Sequence, residues 1–147
     1  MPERARVEIA ATVVLPKTAL DALLRNIRAT GFALVGPQVA ADGMAAVAAA
    51  VRQVLSASDA VHISLDIDCL DPAFAPGTGI PDAGGLSSRE VITLIQSLRG
   101  LPLAGLDVVE VSPPLDPSEA TIFAALKFIM EFMGLAARGR TDTNIER

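Results

Sequence analysis

The stretch Val61-His62-Ile63-Ser64-Leu65-Asp66-Ile67-Asp68-Cys69-Leu70-Asp71-Pro72 decides how the chain is read. Its first part, Val61–Ile67, is apolar on both faces apart from His62, Ser64 and Asp66, the pattern of a central strand covered on both sides in a parallel sheet. Downstream, Ser87 and Glu90 are spaced as a capping box, and Val91, Leu94, Ile95 and Leu98 mark a helix running to Gly100. Leu103–Val111 then reads as a second strand. A strand, a crossover helix and a parallel strand bring the C-terminal ends of both strands to one edge of the sheet.

The flanks extend the same alternation. Upstream, Val7–Val14 is a β-branched run ended by Pro16, and Leu20, Leu23, Leu24 and Ile27 then trace a helical stripe closed by Gly31. Phe32–Val35 is a short apolar run stopped by Gly36-Pro37, after which Asp42 can cap an alanine-rich helix carrying Val47, Val51, Val54 and Leu55. Downstream, Asp116, Pro117 and Glu119 are placed to open a last helix through Ile122, Phe123, Leu126, Ile129, Met130 and Met133, with Gly134 behind it. Four strands alternating with four helices predict an α/β fold, a mostly parallel sheet with helices on both faces. With no internal repeat or linker, residues 1–137 read as one unit, and the polar tail Arg138–Arg147 is expected to be disordered.

Composition narrows the function classes. Of 147 residues, 51% are hydrophobic and 20% charged, which excludes a disordered chain. A net charge of -5 without a basic cluster removes the electrostatic basis for binding nucleic acid. Apolar runs are interrupted by Asp, Arg, Gln or Pro before the roughly 20 residues a bilayer span needs, so no membrane association is expected. One cysteine and no signal-like start make the cytoplasm the expected compartment.

Chemistry concentrates after the central strand. Asp66 and Asp68 stand two apart at a strand end, so both carboxylates are expected on one face, where they repel unless a cation lies between them. Hard oxygen donors favour magnesium, calcium or manganese, while a solvated or capping acidic pair is the other reading of the motif alone. Glu110, at the same sheet edge, can hold a cationic group such as a guanidinium in a bidentate pair, or be a surface residue beside the turn Ser112-Pro113-Pro114. The intervening loop, Cys69 to Leu86, holds three Pro and four Gly, and loops of that length inside compact domains are usually functional. An EF-hand loop starting at Asp66 fails, since its sixth and twelfth positions are Asp71 and Gly77. An aspartyl phosphatase motif fails too, because Leu70 occupies the position where threonine belongs.

Taken together, Ser64-Leu65-Asp66-Ile67-Asp68 through Asp71-Pro72-Ala73-Phe74-Ala75-Pro76-Gly77-Thr78-Gly79, then Gly84-Gly85-Leu86 and Asp107-Val108-Val109-Glu110-Val111-Ser112-Pro113, resemble the ureohydrolase family, which includes arginase, agmatinase, guanidinobutyrase and formiminoglutamase. The match covers roughly Val61–Met133 and looks most like the C-terminal half of an agmatinase. The resemblance implies a three-layer α/β/α arginase-like fold, present in part. It also implies a pair of manganese ions that activate a bridging hydroxide toward a guanidinium carbon and release urea. By that match Asp66 and Asp68 are metal ligands and Glu110 binds the guanidino substrate.

The departures bear on activity. The family's other ligands come from an earlier histidine and an Asp-x-His-x-Asp segment, whereas this chain has one histidine, His62. Along a strand His62 lies roughly 13 Å from Asp66, too far to share its metal. Two carboxylates offer at most four oxygens, while two manganese ions take about twice six ligands, so the binuclear site is incomplete here and no catalytic residue is assigned. Ile80 stands where the family has a second threonine, and Asp82 where it has glutamate. Thr78 reads as a loop-orienting residue, Cys69 as a small apolar one, and the last helix's methionines with Phe123, Phe128 and Phe132 as core or subunit contact. Two readings therefore stand: an agmatinase-like chain whose missing ligands lie in an N-terminal half, as in a truncated product or split subunit, and a non-catalytic scaffold domain derived from the family. Either way a homo-oligomer or a partner carrying that half is expected, because half of a larger sheet leaves an edge uncovered. Sedimentation at micromolar concentration is expected to show a dimer or larger species; a clean monomer that binds no hydrophobic dye would refute the expectation.

Overall fold

The computed structural model describes residues 4–9, 43–56 and 58–145 of the chain. Three strands, β1 (Arg4–Ile9), β2 (Ala60–Asp66) and β3 (Leu103–Val109), form a parallel sheet with β2 in the middle, as its residue pattern predicts. Strand periodicity sends Val61, Ile63 and Leu65 to one face, where each is fully buried. Three helices supply much of the rest of that core, together with Ile67, Leu70, Ala75 and Leu86 from the turn and loop that follow β2. In α1 (Met44–Leu55) the buried residues Met44, Val47, Ala48, Val51 and Leu55 follow a three-and-four spacing, and in α2 (Ser88–Ser97) Val91, Ile92, Leu94 and Ile95 do the same. The third helix, α3 (Ala120–Ile145), adds Ala125 and Phe128. Each large aliphatic side chain so buried stabilises the fold by about 1.5–3 kcal/mol relative to exposure.

Local signals set the helix ends. The Ser87–Glu90 capping box forms as predicted: the Ser87 hydroxyl accepts the Glu90 N–H at 3.2 Å, and the Glu90 carboxylate accepts the Ser87 N–H at 2.7 Å. At the far end of α2, the Arg52 guanidinium reaches across from α1 to the carbonyls of Ser97 and Arg99, placing a cation where α2 leaves unpaired acceptors.

Several expected boundaries shift. β3 stops at Val109 rather than Val111, because Glu110 takes a left-handed backbone (φ 63°) that breaks the extended run. The last helix opens at Ala120, not at Pro117, since Glu119 is also left-handed (φ 57°) and residues 116–119 form a separate turn. Asp116 still serves that helix from outside, its carboxylate accepting the Ile122 N–H at 3.1 Å. At the other end the helix passes Gly134 and continues to Ile145, so residues 138–145 are helical instead of frayed; a lone glycine costs a helix only about 1 kcal/mol. Ala120–Arg138 is also long and apolar enough, by length and composition, to cross a membrane, and its apolar run is interrupted by Lys127 and Glu131 rather than by the Asp, Arg, Gln or Pro expected. Its Thr121, Ala125 and Phe128 are buried in the core, and Lys127 and Glu131 pair across one turn at 2.5 Å. The expected elements at Leu20–Ile27 and Phe32–Val35, the second half of Val7–Val14 and the Asp42 cap lie outside the described residues.

The loop after β2 is tied down at its base, its middle and its end. Asp71 gathers its first part, one carboxylate oxygen accepting the Ala73 N–H at 2.8 Å and the other the Gly84 N–H at 2.7 Å. Leu70 bridges Leu86, closing the loop's two ends together. Its middle is fixed to α3 and the end of β3: the Gly77 N–H donates to Thr121 Oγ1 at 2.7 Å, the Ser112 N–H donates to the Gly77 carbonyl at 2.8 Å, and Thr78 bridges Val111. Gly77 is required by proximity, since a Cβ there would lie 2.3 Å from Asp116 Cβ, whereas a Cβ at Gly79 meets nothing within 4 Å. Gly77→Ala is accordingly expected to lower stability by about 1–3 kcal/mol, and Gly79→Ala to change it by less than about 1 kcal/mol. Urea unfolding of both variants checks the contrast; equal effects would show that the loop yields at Gly77.

Candidate functional site

The site is built where β2 and β3 end. Asp66 is the last residue of β2, and its carboxylate accepts the Asp68 N–H at 3.0 Å, turning the chain into a single 3-10 turn, Ile67–Cys69. The two aspartates are thus not alternate residues of one strand, as the spacing suggested: Asp66 ends the strand, and Asp68 belongs to the turn that Asp66 caps. Asp68 is buried, and the Thr78 hydroxyl donates to its Oδ1. Thr78, itself only 2% exposed, therefore does more than orient the loop, because it satisfies a carboxylate withdrawn from water.

Electrostatics mark Asp68 as the strained member. Burial, then the Asp66 charge, then that of Glu110 push its carboxyl up to about 6. The charges of Asp66 and Glu110, from two strand ends, therefore both act on Asp68, as expected when the strands run parallel to one edge. Glu110 lies one residue beyond β3, exposed, in the left-handed backbone region that a non-glycine residue occupies only when its surroundings hold it there. Those surroundings are the Thr78–Val111 bridge and the Ser112–Gly77 hydrogen bond, so the loop that serves Asp68 also fixes the backbone beside Glu110.

The remaining candidates take no part in the acidic group's hydrogen bonding among the contacts described above. Cys69 is buried, and burial followed by Asp66 and Asp68 pushes its thiol up to about 12, which keeps it protonated and unreactive, in line with its reading as a small apolar residue. Ile80 is 76% exposed, presenting a methyl-rich surface where the family pattern has a hydroxyl. His62 pairs with Asp107 at 2.7 Å, in keeping with its reading as a sheet residue. Asp71, Asp116 and Thr121 were not singled out as loop anchors from the sequence. For Asp71 the Asp-Pro dipeptide is a turn signal that could have found it, whereas Thr121 carries no local signal at all.

Asp66 and Asp68 offer hard oxygen donors suited to a divalent cation such as manganese, and crowded acidic groups are stabilised by one. The number of donors falls short: among the described residues no group of three or more His, Cys, Asp or Glu side chains is placed to hold a metal ion. The donor type fits half of a metal centre and the count does not fit a whole one.

Comparison with known proteins bears on what this geometry belongs to. A family model described as the arginase family matches residues 19–134. The chain is 46% identical over 100 residues to the agmatinase of Escherichia coli O7:K1, covering 68% of this chain and 32% of that protein. It is also 46% identical over 95 residues to the guanidinopropionase of Pseudomonas aeruginosa, covering 65% of this chain and 30% of that one. It thus spans about a third of the length of these curated relatives. Among solved structures, a hypothetical agmatinase from Burkholderia thailandensis superposes with a TM-score of 0.74 at 32% identity, over 92% of this chain and 40% of the other. The proclavaminate amidino hydrolase of Streptomyces clavuligerus gives a TM-score of 0.77 at 29% identity, over 93% and 56%. With a family model covering most of its length and a parallel α/β sheet that superposes on these structures, the chain belongs to the arginase family of ureohydrolases and carries part of the arginase-like fold.

Proposed function

We propose that this chain contributes one part of a manganese-dependent, agmatinase-like site that hydrolyses a guanidino small molecule and releases urea. The observation that carries the reading is the convergence of Asp66, Asp68 and Glu110 at one sheet edge, where both other charges act on the buried Asp68 carboxyl. Asp66 and Asp68 would supply oxygen ligands to manganese, whose chemistry when bound is to activate water for attack on the guanidinium carbon. Glu110 would hold the guanidinium itself, its planar donors matched to the two carboxylate oxygens. The Thr78 hydroxyl, by donating to Asp68 Oδ1, restrains that carboxylate, and its other oxygen would be the one left for a cation.

The shortage of donors favours a site completed by other polypeptide that carries the family's Asp-x-His-x-Asp segment, which this chain lacks. A non-catalytic scaffold role is the alternative, favoured by the same shortage and by exposed Ile80. Two outcomes are expected of the purified 147-residue chain. It releases no urea from agmatine or arginine above a metal-only blank, and urea release by the chain alone would overturn the assignment of the missing ligands to other polypeptide. In calorimetry it binds manganese only weakly, and Asp66→Ala or Asp68→Ala abolishes most of that heat. Unchanged binding in both variants would sink the metal-ligand roles and leave the scaffold reading.

A further inference from the structure

Away from the acidic group, β2 and β3 carry a polar cluster that the proposed chemistry does not use. His62 Nε2 lies 2.7 Å from Asp107 Oδ2, and the Ser64 hydroxyl donates to Asp107 Oδ1 at 2.5 Å. Both carboxylate oxygens of one β3 residue are therefore engaged by two residues of β2. Ser64 and Asp107 are direct register partners, while His62 stands opposite Gly105. That glycine is needed for the ring to lie where it does, since a Cβ at Gly105 would come within 2.6 Å of His62 Nδ1. A register shift between Val61 and His62 seats the histidine in this gap.

Parallel strands joined by a long crossover have no hairpin turn to fix their register. Burial fixes only its parity, because a slip of one residue would expose Val61, Ile63 and Leu65, whereas a slip of two would keep them in the core. Such a two-residue slip would nonetheless move Glu110 by about 6–7 Å along the sheet relative to Asp66 and Asp68. Two polar contacts to one carboxylate, with a steric seat for the ring, are specific where apolar packing is degenerate. It has one seat for the ring, over Gly105, and one residue placed to receive both donors, Asp107.

We propose that His62, Asp107 and Ser64 form a clamp that selects the β2–β3 register and thereby sets the separation between the Asp66–Asp68 pair and Glu110. His62 is on this account a positioning residue for the site, acting through Asp107. The inference rests on the functional reading above for its purpose, but not for its test.

The test compares the wild-type chain with His62→Phe, which fills the seat without donating, and His62→Gln, which restores an N–H donor. The readout is cross-strand nuclear Overhauser contacts pairing Asp66 with Val109, together with amide hydrogen exchange across β2 and β3. The single histidine of the chain makes its ring nitrogens an unambiguous probe of the contact with Asp107. Expected are a single pairing in the wild type, and loss or doubling of the Asp66–Val109 contacts with at least tenfold faster exchange in His62→Phe. His62→Gln is expected to recover the wild-type pairing. A His62→Phe chain that keeps one pairing, with exchange within twofold of wild type, would overturn the clamp, as would failure of His62→Gln to recover the pairing. If His62→Phe does not fold, Ser64→Ala is read against the same thresholds. None of these measurements uses metal. A separate manganese titration that broadens the Asp66 and Asp68 amides reads on the functional proposal alone, so each idea can fail without the other.

Discussion

Three carboxylates cannot be gathered at one end of a sheet without something to hold them there, and this repulsion shapes everything built around the β2–β3 edge. Burial and two neighbouring charges act together on Asp68, whose carboxyl is pushed up to about 6. Removing a charged group from water costs several kcal/mol unless hydrogen bonds compensate. The fold compensates with neutral donors: the Thr78 hydroxyl on Asp68, and the Asp68 amide on Asp66. Among the described residues every buried side-chain polar atom has a partner, so the edge is crowded with charge yet not left unsatisfied.

The donors in turn need a rigid platform. A loop running from Cys69 to Leu86 would lose considerable conformational entropy on being fixed, and no single contact offsets that cost. Here it is spread over Asp71 at the loop's base, the Leu70–Leu86 bridge that closes it, and the Gly77 contacts to Thr121 and Ser112 that anchor its middle. One consequence is a link between distant segments. Thr121 at the beginning of α3 and Asp116 in the turn before it decide where Gly77 can sit, and Gly77 is next to the residue that holds Asp68.

What could be read from the sequence follows the same division between local and tertiary causes. The central strand, the capping box at Ser87 and the acidic residues at the strand ends were legible because each is a short-range pattern: apolar periodicity, a three-residue spacing, a pair of like charges. The helix starts later than the signal at Asp116 suggests, because Glu119 adopts a left-handed backbone that no local propensity favours. The spacing of Asp66 and Asp68 suggests one strand end for a related reason. The side chain of Asp66 competes for the Asp68 amide and ends the ladder, a choice that strand spacing does not reveal. In the sequence Thr78 reads only as a loop residue, since its partner is ten residues away and adjacent only once the loop is folded.

The last helix carries the argument one step further. Its methionines and phenylalanines were expected to be core or subunit contact, and the structure divides them: Phe128 is fully buried, while Phe123, Met130 and Met133 are each about 60% exposed, joined along the helix by exposed Ile122, Leu126 and Ile129. Single exposed apolar residues are ordinary, but a run at helical spacing along one helix is a surface that water disfavours. A candidate metal site short of donors and a helix with an uncovered apolar stripe are independent observations, one electrostatic and one hydrophobic. Under the proposed function both have the same remedy, further polypeptide of the family's fold packed against this part. The superpositions leave room for it, since the chain accounts for only 40% of one solved relative and 56% of another. Neither shortage would be explained by the other alone: ligands delivered by a flexible segment would leave the stripe wet, and a helix partner without carboxylates or histidines would leave Asp66 and Asp68 facing each other unneutralised.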